Sequence, residues 1–157
     1  MNLQSRSHTA FSLVEVTLAL GIAAFCLLAV LGLMPVGLKS QQTGVEQTKA
    51  NAVISEITSD LSAAARLPPG QVSKQFKIHG RWNPTPDAVY FTNDGIQTGI
   101  TNGSVPTDAV LRATISYIAP PVATTSLADI KVTWPAQTDP VTGAPAGSVE
   151  TFVAINR

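Results

Sequence analysis

A long apolar run dominates the N-terminal part of the chain. From Phe11 to Leu38 almost every residue is apolar or small, and Glu15 is the only charged one. About 20 consecutive apolar residues allow a helix to cross a bilayer, so this run predicts a membrane-spanning helix. A cleaved secretory signal has a shorter apolar segment, and Pro35-Val36-Gly37-Leu38-Lys39 makes a poor cleavage site of that kind. An uncleaved signal anchor remains an alternative.

After Lys39 the sequence becomes polar but keeps the spacing of a helix. Up to Arg66, apolar residues recur at intervals of three and four positions, and charged residues are expected mostly on the opposite face. The apolar positions are Ala50, Val53, Ile54, Ile57, Leu61 and Ala64, and the charged positions are Glu46, Lys49, Glu56 and Asp60. The segment Leu67-Pro68-Pro69-Gly70 then ends the helix. We predict one long helix from Phe11 to Arg66, whose second half packs on a sheet.

Pro35 lies inside the predicted helix, near the end of the apolar run. A proline in a helix interior removes a backbone hydrogen bond and kinks the chain, at a cost of about 3 kcal/mol or more. Membrane helices tolerate such a break. We therefore expect the helix to be bent or locally unwound between Gly32 and Leu38.

Beyond Gly70 the apolar residues recur with a period of two, which is typical of strands. Strand patterns cover residues 75–79, 88–92, 111–117, 127–134 and 148–155, and Asn93-Asp94-Gly95 marks a turn. Trp134 alternates with Ile130 and Val132, so we expect it in the core, whereas Trp82 is undecided. A helix followed by four or five antiparallel strands is an α+β fold.

Charge and cysteine content exclude several classes of protein. The chain has ten Lys plus Arg and ten Asp plus Glu, and no basic stripe, so no nucleic-acid partner is predicted. Cys26 is the only cysteine, which excludes an intramolecular disulfide and a metal site built from cysteines. Its place in the apolar run indicates a small apolar residue.

The sequence contains no recognisable catalytic constellation. Its two histidines, His8 and His79, are far apart, and it has no glycine-rich phosphate loop, HExxH or GxSxG motif. We predict no enzymatic activity and no cofactor, with His79 solvated at a polar strand position. Calcium requires six to eight oxygen ligands, and Asp94 and Asp139 lie in ordinary turn sequences, so we predict no metal site.

Glu15 is the unusual residue of the apolar run. A carboxylate inside a membrane normally has a partner, and no residue three or four positions away carries a charge. One interpretation is that Glu15 lies shallow and reaches the lipid headgroups. The other is that a peptidase cuts between Ala10 and Phe11, and that the new α-ammonium of Phe11 pairs with Glu15 of a neighbouring copy. Breaking a buried ion pair costs about 3–5 kcal/mol, so this pair would fix the register between subunits.

The stretch A-F-S-L-V-E-V-T-L-A-L-G-I-A-A-F, residues 10–25, resembles the N-terminal signature of type IV pilins and type II secretion pseudopilins. In that family a short polar leader ends in a small residue. Phe, Ser or Thr, Leu, Val or Ile, and Glu follow, and then a long apolar helix. Residues 11–15 match this order, whereas Ala10 stands where the family prefers glycine. The resemblance implies cleavage after Ala10 by prepilin peptidase and N-methylation of Phe11.

The same resemblance implies a domain organisation and a function. It implies a leader (residues 1–10), a membrane and filament-core helix (11–38), an amphipathic continuation (39–67) and a β-rich, pilin-like head (68–157). The protein would be a structural subunit, of the minor kind, of a type IV pilus or a type II secretion pseudopilus. Pilins of this family often carry a proline near the position of Pro35.

Partners and location also follow from the resemblance. The implied partners are other pilin or pseudopilin subunits, prepilin peptidase, the inner-membrane assembly platform and membrane lipid. Arg6 before the run favours a cytoplasmic N-terminus, which places the head in the periplasm or outside the cell. More loosely, the last two predicted strands resemble the C-terminal hairpin of minor pseudopilins of the PilV/GspI-like or Verru_Chthon cassette protein B type. The rival function is a signal-anchored extracytoplasmic binding domain that does not polymerise.

Overall fold

The computed structural model of the chain describes residues 11–68, 70–80, 85–100, 104–118 and 125–156. Within them a long helix precedes five strands: α1 Leu13–Ala64, β1 Asp87–Phe91, β2 Gln97–Ile100, β3 Leu111–Ile118, β4 Thr125–Trp134 and β5 Gly147–Asn156. This arrangement confirms the predicted α+β class. The chain divides into two compact units, Met1–Gln42 and Thr43–Arg157, and α1 contributes residues to both.

Helix α1 is continuous across its proline. All residues from Gly32 to Leu38 are helical, with Pro35 inside the helix. Of the two outcomes expected here, local unwinding is therefore excluded, whereas a kink at Pro35 stays a prediction. The physical basis for that kink is that proline has no N–H, so the carbonyl of Leu31 lacks its usual donor four residues later.

The C-terminal end of α1 lies close to the predicted one. The last turn tightens, because the N–H of Leu67 donates to the carbonyl of Ala64 at 2.9 Å, three residues earlier. Pro68 follows at once and has no N–H with which to continue the hydrogen-bond series. The helix therefore ends where the sequence places its strongest helix-breaking residues.

The second half of α1 buries the predicted apolar face. Within the second unit, this face and the inner side of the sheet form one hydrophobic core. Its helical members are Ala50, Val53, Ile54, Ile57, Leu61 and Ala65, and Ala64 is half-buried. One assignment is wrong: Asp60, expected on the solvent side, is buried.

The five described strands form one antiparallel sheet in the order β2-β1-β3-β4-β5. Register aligns small and branched apolar residues across neighbouring strands, such as Val89 with Ala113 and Ala113 with Val132. These three side chains are fully buried. Burying a side chain of this kind stabilises the fold by about 1.5–3 kcal/mol for the larger ones, so the row is a main source of head stability. Trp134 lies in the same core, as predicted.

The strand predictions are right for four segments and wrong for one. Segments 88–92, 111–117, 127–134 and 148–155 correspond to β1, β3, β4 and β5, and Asn93-Asp94-Gly95 forms the predicted turn with Gly95 at a φ of 77°. Residues 75–79 do not form a strand, although Phe76 and Ile78 are buried as the alternation indicates. Lys77 between them has a φ of 58°, which extended backbone cannot have. Strand β2 was not predicted.

Candidate functional site

The N-terminal end of α1 carries the residues expected to govern assembly. Phe11 is 79% exposed, and the helix begins two residues later at Leu13. The carbonyl of Ser12 accepts hydrogen bonds from the N–H groups of Glu15 at 3.0 Å and Val16 at 3.2 Å. Ser12 is therefore the residue that caps the helix. Ala10, the residue expected before the cleavage point, lies outside the described residues.

Glu15 is the third residue of α1. A negative charge in the first turn is stabilised by the positive end of the helix dipole, typically by about 0.3–1 kcal/mol. Its side chain is exposed, and no described residue forms an ion pair or hydrogen bond with the carboxylate. The helix dipole thus makes an acidic residue favourable at position 15, but it supplies no counter-charge for the carboxylate. A partner for Glu15 therefore does not come from the residues that the structure describes.

The segment that follows Glu15 is long and apolar enough to cross a membrane. Its large apolar side chains are 44–81% exposed between Phe11 and Leu38, on all sides of the helix. At about 1.5 Å per residue this segment exceeds the roughly 30 Å hydrocarbon core of a bilayer. The hydroxyl of Thr17 donates to the carbonyl of Val14 at 3.0 Å, so this polar group needs no outside partner. Cys26 is exposed like its apolar neighbours.

Two buried carboxylates hold the loop between α1 and the sheet in the second unit. Asp60, 6% exposed, accepts the N–H groups of Phe76 at 3.0 Å and Gln75 at 3.3 Å. The amide of Phe76 would be unpaired in the core without Asp60, because residues 75–79 have no neighbouring strand among the described residues. Asp60 therefore replaces a strand partner, and the loop can bury Phe76 against Phe91 with ring centres 5.5 Å apart.

The second carboxylate, Asp87 at the start of β1, is 1% exposed on its side chain. Its Oδ2 accepts the backbone N–H of His79 and the hydroxyl of Tyr117, each at 2.8 Å, and its Oδ1 lies 2.6 Å from His79 Nδ1. The N–H of Gly80 donates to the Tyr117 hydroxyl at 3.2 Å. Burial, with the neighbouring Asp87 carboxylate, raises the pKa of the Tyr117 hydroxyl far above its ordinary value.

This cluster corrects the prediction for His79. The ring was expected to be solvated on a strand, but it contacts Asp87 and belongs to a loop. Three hydrogen-bond donors surround the Asp87 carboxylate, and the His79 side chain is 41% exposed. This arrangement holds the loop in place.

The two aspartates considered as calcium ligands, Asp94 and Asp139, both lie in turns. Asp139 accepts the N–H of Val141 at 2.9 Å through Oδ1, which is ordinary turn geometry, and its Oδ2 lies 3.4 Å from Arg112 Nη1. Asp94 lies in the turn between β1 and β2. Among the described residues, no three His, Cys, Asp or Glu side chains come together as a metal site would require. Trp82 lies outside the described residues.

Sequence reasoning missed Ser12, Asp60 and Asp87, although two of the three leave a signal. Ser12 and Glu15 have the S-x-x-E spacing that starts many helices. Asp60 lies three residues after Ile57 and seven after Val53, which is the spacing of the buried face. Asp87 gives no comparable signal, because its donors come from a loop and from a strand thirty residues away.

These observations define an α+β chain with an exposed apolar N-terminal helix that could span a membrane and a head with its own core. Comparisons with protein families, with curated proteins and with solved structures find no match to this chain.

Proposed function

We propose that the protein is a structural subunit, of the minor kind, of a type IV pilus or a type II secretion pseudopilus. Its first ten residues are a leader that prepilin peptidase removes after Ala10, and Phe11 becomes a methylated N-terminus. The apolar helix holds the subunit in the inner membrane and then in the filament core. The head remains in the periplasm or outside the cell, as the single Arg6 before the run favours.

The exposure of the apolar helix supports a role in which the helix passes from one apolar environment to another. Each large apolar side chain gains about 1.5–3 kcal/mol when it is removed from water, and those from Phe11 to Leu38 are all exposed. Lipid covers them before assembly. Helices of neighbouring subunits cover them equally well afterwards, since both surroundings are apolar. The helix is thus suited to move from the bilayer into a filament.

The observation that carries the proposal is Glu15, a charge in the first turn of an apolar helix that has no partner among the described residues. An isolated carboxylate in hydrocarbon is costly, and pairing with a cation is the usual solution. A free α-ammonium at Phe11 supplies one cation per subunit. In a helical array the two charges of different copies meet at only one axial offset, so the pair selects a register.

The experiment replaces Glu15 by glutamine, which keeps the shape and removes the charge. In cells that contain the assembly machinery, Glu15→Gln should enter the membrane normally but should be reduced about tenfold or more in the sheared filament fraction, as expected for loss of one buried partner. Glu56→Gln, at an exposed position later on the same helix, is the matched control and should incorporate normally. Normal incorporation of Glu15→Gln would contradict the register pair.

Intact mass distinguishes the proposal from a non-polymerising signal anchor. Cleavage after Ala10 together with one added methyl group supports the pilin function. An unprocessed Met1 start in membranes that contain prepilin peptidase supports the anchored binding domain instead.

A further inference from the structure

Strand β5 lies at one edge of the described sheet. In the order β2-β1-β3-β4-β5 it has β4 on one side and no described strand on the other. In an antiparallel ladder, alternate residues direct their N–H and C=O groups toward one neighbour, and the residues between them direct theirs to the opposite side. No described residue outside β4 forms a backbone hydrogen bond with β5. Within the part of the chain that the structure describes, alternate residues of Gly147–Asn156 therefore present unpaired backbone donors and acceptors.

The regularity of β5 makes this edge suitable for pairing with a further strand. All ten residues pair with β4 in one uninterrupted register, from Gly147 opposite Trp134 to Asn156 opposite Thr125. Proteins protect exposed sheet edges with short strands, bulges, prolines or inward-pointing charges. Strand β5 contains no proline, lysine or arginine, and its single charged residue, Glu150, lies on the face away from the core. Its sequence therefore lacks the usual protections against strand addition.

The opposite edge of the described sheet, strand β2, has two of these protections. It is only four residues long, and its register with β1 is interrupted between Tyr90 and Phe91. Of the two described edges, β5 is thus the one whose backbone is suited to pairing with another chain.

The core face of β5 carries apolar side chains that the core covers only in part. Val149 and Val153 are half-buried and pack against the core from its margin. A strand added beside β5 would cover both side chains and would extend the core by one strand. Removal of this apolar surface from water would stabilise the added strand.

The other face of the sheet has an exposed apolar row that ends at the same edge. Register aligns Ile118 of β3 with Leu127 of β4, and Leu127 with Ala154 of β5. All three residues are exposed, Ile118 by 50% and Leu127 by 37%. Phe152, two residues before Ala154 on the same face, is 59% exposed. Contiguous exposed apolar residues mark interaction sites, and these lie next to the unpaired backbone groups of β5.

The charges beside this edge indicate which partner strand fits it. Glu150 lies 3.2 Å from Lys131, and Asp129, opposite Phe152, adds a second acid to this face of β4 and β5. Opposite charges across neighbouring strands are favourable and like charges are unfavourable, so a basic side chain fits opposite Glu150. A second copy of β5 would bring an acid and no base, which makes it the poorer partner.

We propose that β5 is an interaction edge that accepts an extended segment of another polypeptide, which adds one strand to the described sheet. The occupant is a polypeptide strand because alternating N–H and C=O groups along an edge are matched by a second extended backbone. It carries branched apolar side chains beside Val149 and Val153 and a basic side chain opposite Glu150. This inference concerns the head alone and does not depend on filament assembly.

The test uses a fluorescent, blocked peptide with the sequence Thr125–Trp134 as the added strand. This is the sequence of β4, which pairs with β5 over ten residues and places a lysine opposite Glu150. Fluorescence anisotropy measures binding of the peptide to the full-length protein in detergent. The same peptide with Ile130→Pro cannot maintain a hydrogen-bond ladder through its centre and should bind about tenfold more weakly or worse.

Thr151→Lys tests the edge from the side of the protein. Thr151 is half-buried on the core face of β5, where a lysine can reach water in the free protein but would be buried by an added strand. Binding of the peptide should therefore weaken about tenfold or more. Ser55→Lys adds the same charge at an exposed position of α1, and this control should leave binding unchanged.

Hydrogen exchange of the β5 amides, followed by NMR, gives a readout that non-specific apolar binding would not change. In the free protein every second amide of β5 should exchange fast, and these same amides should become protected when the peptide is added. This measurement uses the wild-type protein and so decides the matter even if Thr151→Lys fails to fold.

Several outcomes would overturn the proposal: equal binding of both peptides, binding without new protection in β5, or no binding at millimolar concentration. Slow exchange of all β5 amides in the free protein would also overturn it, because the edge would then be covered already. Self-association of the wild-type protein that Thr151→Lys abolishes would assign the edge to a second copy and overturn a different polypeptide as its occupant.

Discussion

At the scale of single residues, the head depends on two buried acids, Asp60 and Asp87, although aspartate is a residue type that is mostly exposed. Asp60 accepts two backbone N–H groups of the loop that links α1 to β1, and Asp87 accepts one backbone N–H of that loop and the hydroxyl of Tyr117 from β3. A buried polar group without a partner costs about 1–3 kcal/mol, and each acid removes such a penalty. The sequence predicted the buried Phe76 and Ile78 of this loop, but their backbone hydrogen bonds depend on tertiary contacts.

Replacing Asp60 by alanine should destabilise the head by about 1–3 kcal/mol, because the buried N–H of Phe76 and the partly buried N–H of Gln75 lose their acceptor. Asp60→Asn keeps one amide oxygen as an acceptor and should cost less. Guanidinium denaturation followed by the fluorescence of the buried Trp134 measures both. Glu56→Ala on the exposed side of the same helix should change stability by less than about 0.5 kcal/mol. An Asp60→Ala protein as stable as the Glu56→Ala protein would contradict the role of Asp60.

Tyr117 should make the free energy of unfolding of the head depend on pH in the alkaline range. Because burial and the nearby Asp87 raise the pKa of the Tyr117 hydroxyl in the folded state, the folded protein keeps this proton at a pH where the unfolded chain has lost it. The stabilising effect is complete below the unfolded pKa of about 10 and is lost as pH rises above it. Above that pH, unfolding free energy should fall by about 1.4 kcal/mol per pH unit more in wild type than in Tyr117→Phe.

Denaturation midpoints of both proteins between pH 8 and 11.5 test this difference. The lysines titrate in both proteins, so their contribution cancels when the two slopes are subtracted. Tyr117→Phe should also be less stable by about 1 kcal/mol near neutral pH, since Asp87 loses one of its donors. Parallel curves for the two proteins would show that Tyr117 has the same proton affinity in the folded and unfolded chain.

At the scale of elements, prediction succeeded where one periodic pattern decides the structure. Helix α1 and strands β3, β4 and β5 have long runs of a single period, and each was predicted within a few residues. Residues 75–79 have the period of a strand but pair with no described strand. The alternation of apolar and polar residues there reflects the burial of Phe76 and Ile78 and not membership of a sheet. Strand β2 is only four residues long and depends on the turn at Gly95 to meet β1, which leaves too short a pattern to recognise.

The β4–β5 hairpin requires glycine at position 147. Gly147 is paired with Trp134 across the two strands, and a Cβ at residue 147 would overlap the indole ring. Gly147→Ala should therefore force Trp134 from its place in the core and cost about 1–3 kcal/mol. Thermal unfolding measures the loss, and Ser148→Ala, at the next and exposed position of β5, should have little effect.

A second substitution separates this overlap from a general preference for glycine. In a Trp134→Leu background the side chain that Gly147 accommodates is absent, so Gly147→Ala should then cost much less than in wild type. An equal cost in both backgrounds would assign the effect to the backbone of residue 147 instead of to the indole.

At the scale of the whole molecule, the sequence and the structure both separate an exposed apolar segment from a segment that contributes to a core. Apolar residues before Lys39 are exposed, whereas the first buried residue of the helix is Ala50. The sequence predicted this change as a shift from continuous to amphipathic apolar patterning. Glu15 was recognised as a candidate functional residue from the sequence alone, because it is the only charged residue between Phe11 and Leu38. The cluster around Asp87 was not predictable, since its donors come from a loop and from β3, whose pairing with β1 the sequence does not state.

The last prediction follows from where the core lies. Every described buried residue belongs to the unit Thr43–Arg157, and the unit Met1–Gln42 adds none. A protein that starts at Thr43 should therefore fold without detergent and should unfold in one cooperative transition, since it keeps every described buried residue and loses only an exposed apolar helix. Its free energy of unfolding, measured in guanidinium, should match that of the head in the full-length protein within about 0.5 kcal/mol. Starting instead at Ile54 removes Ala50 and Val53 from the core and should cost several kcal/mol. If the Thr43 protein were also molten or aggregated, the apolar helix would have to stabilise the head directly, and a core confined to residues 43–157 would be refuted.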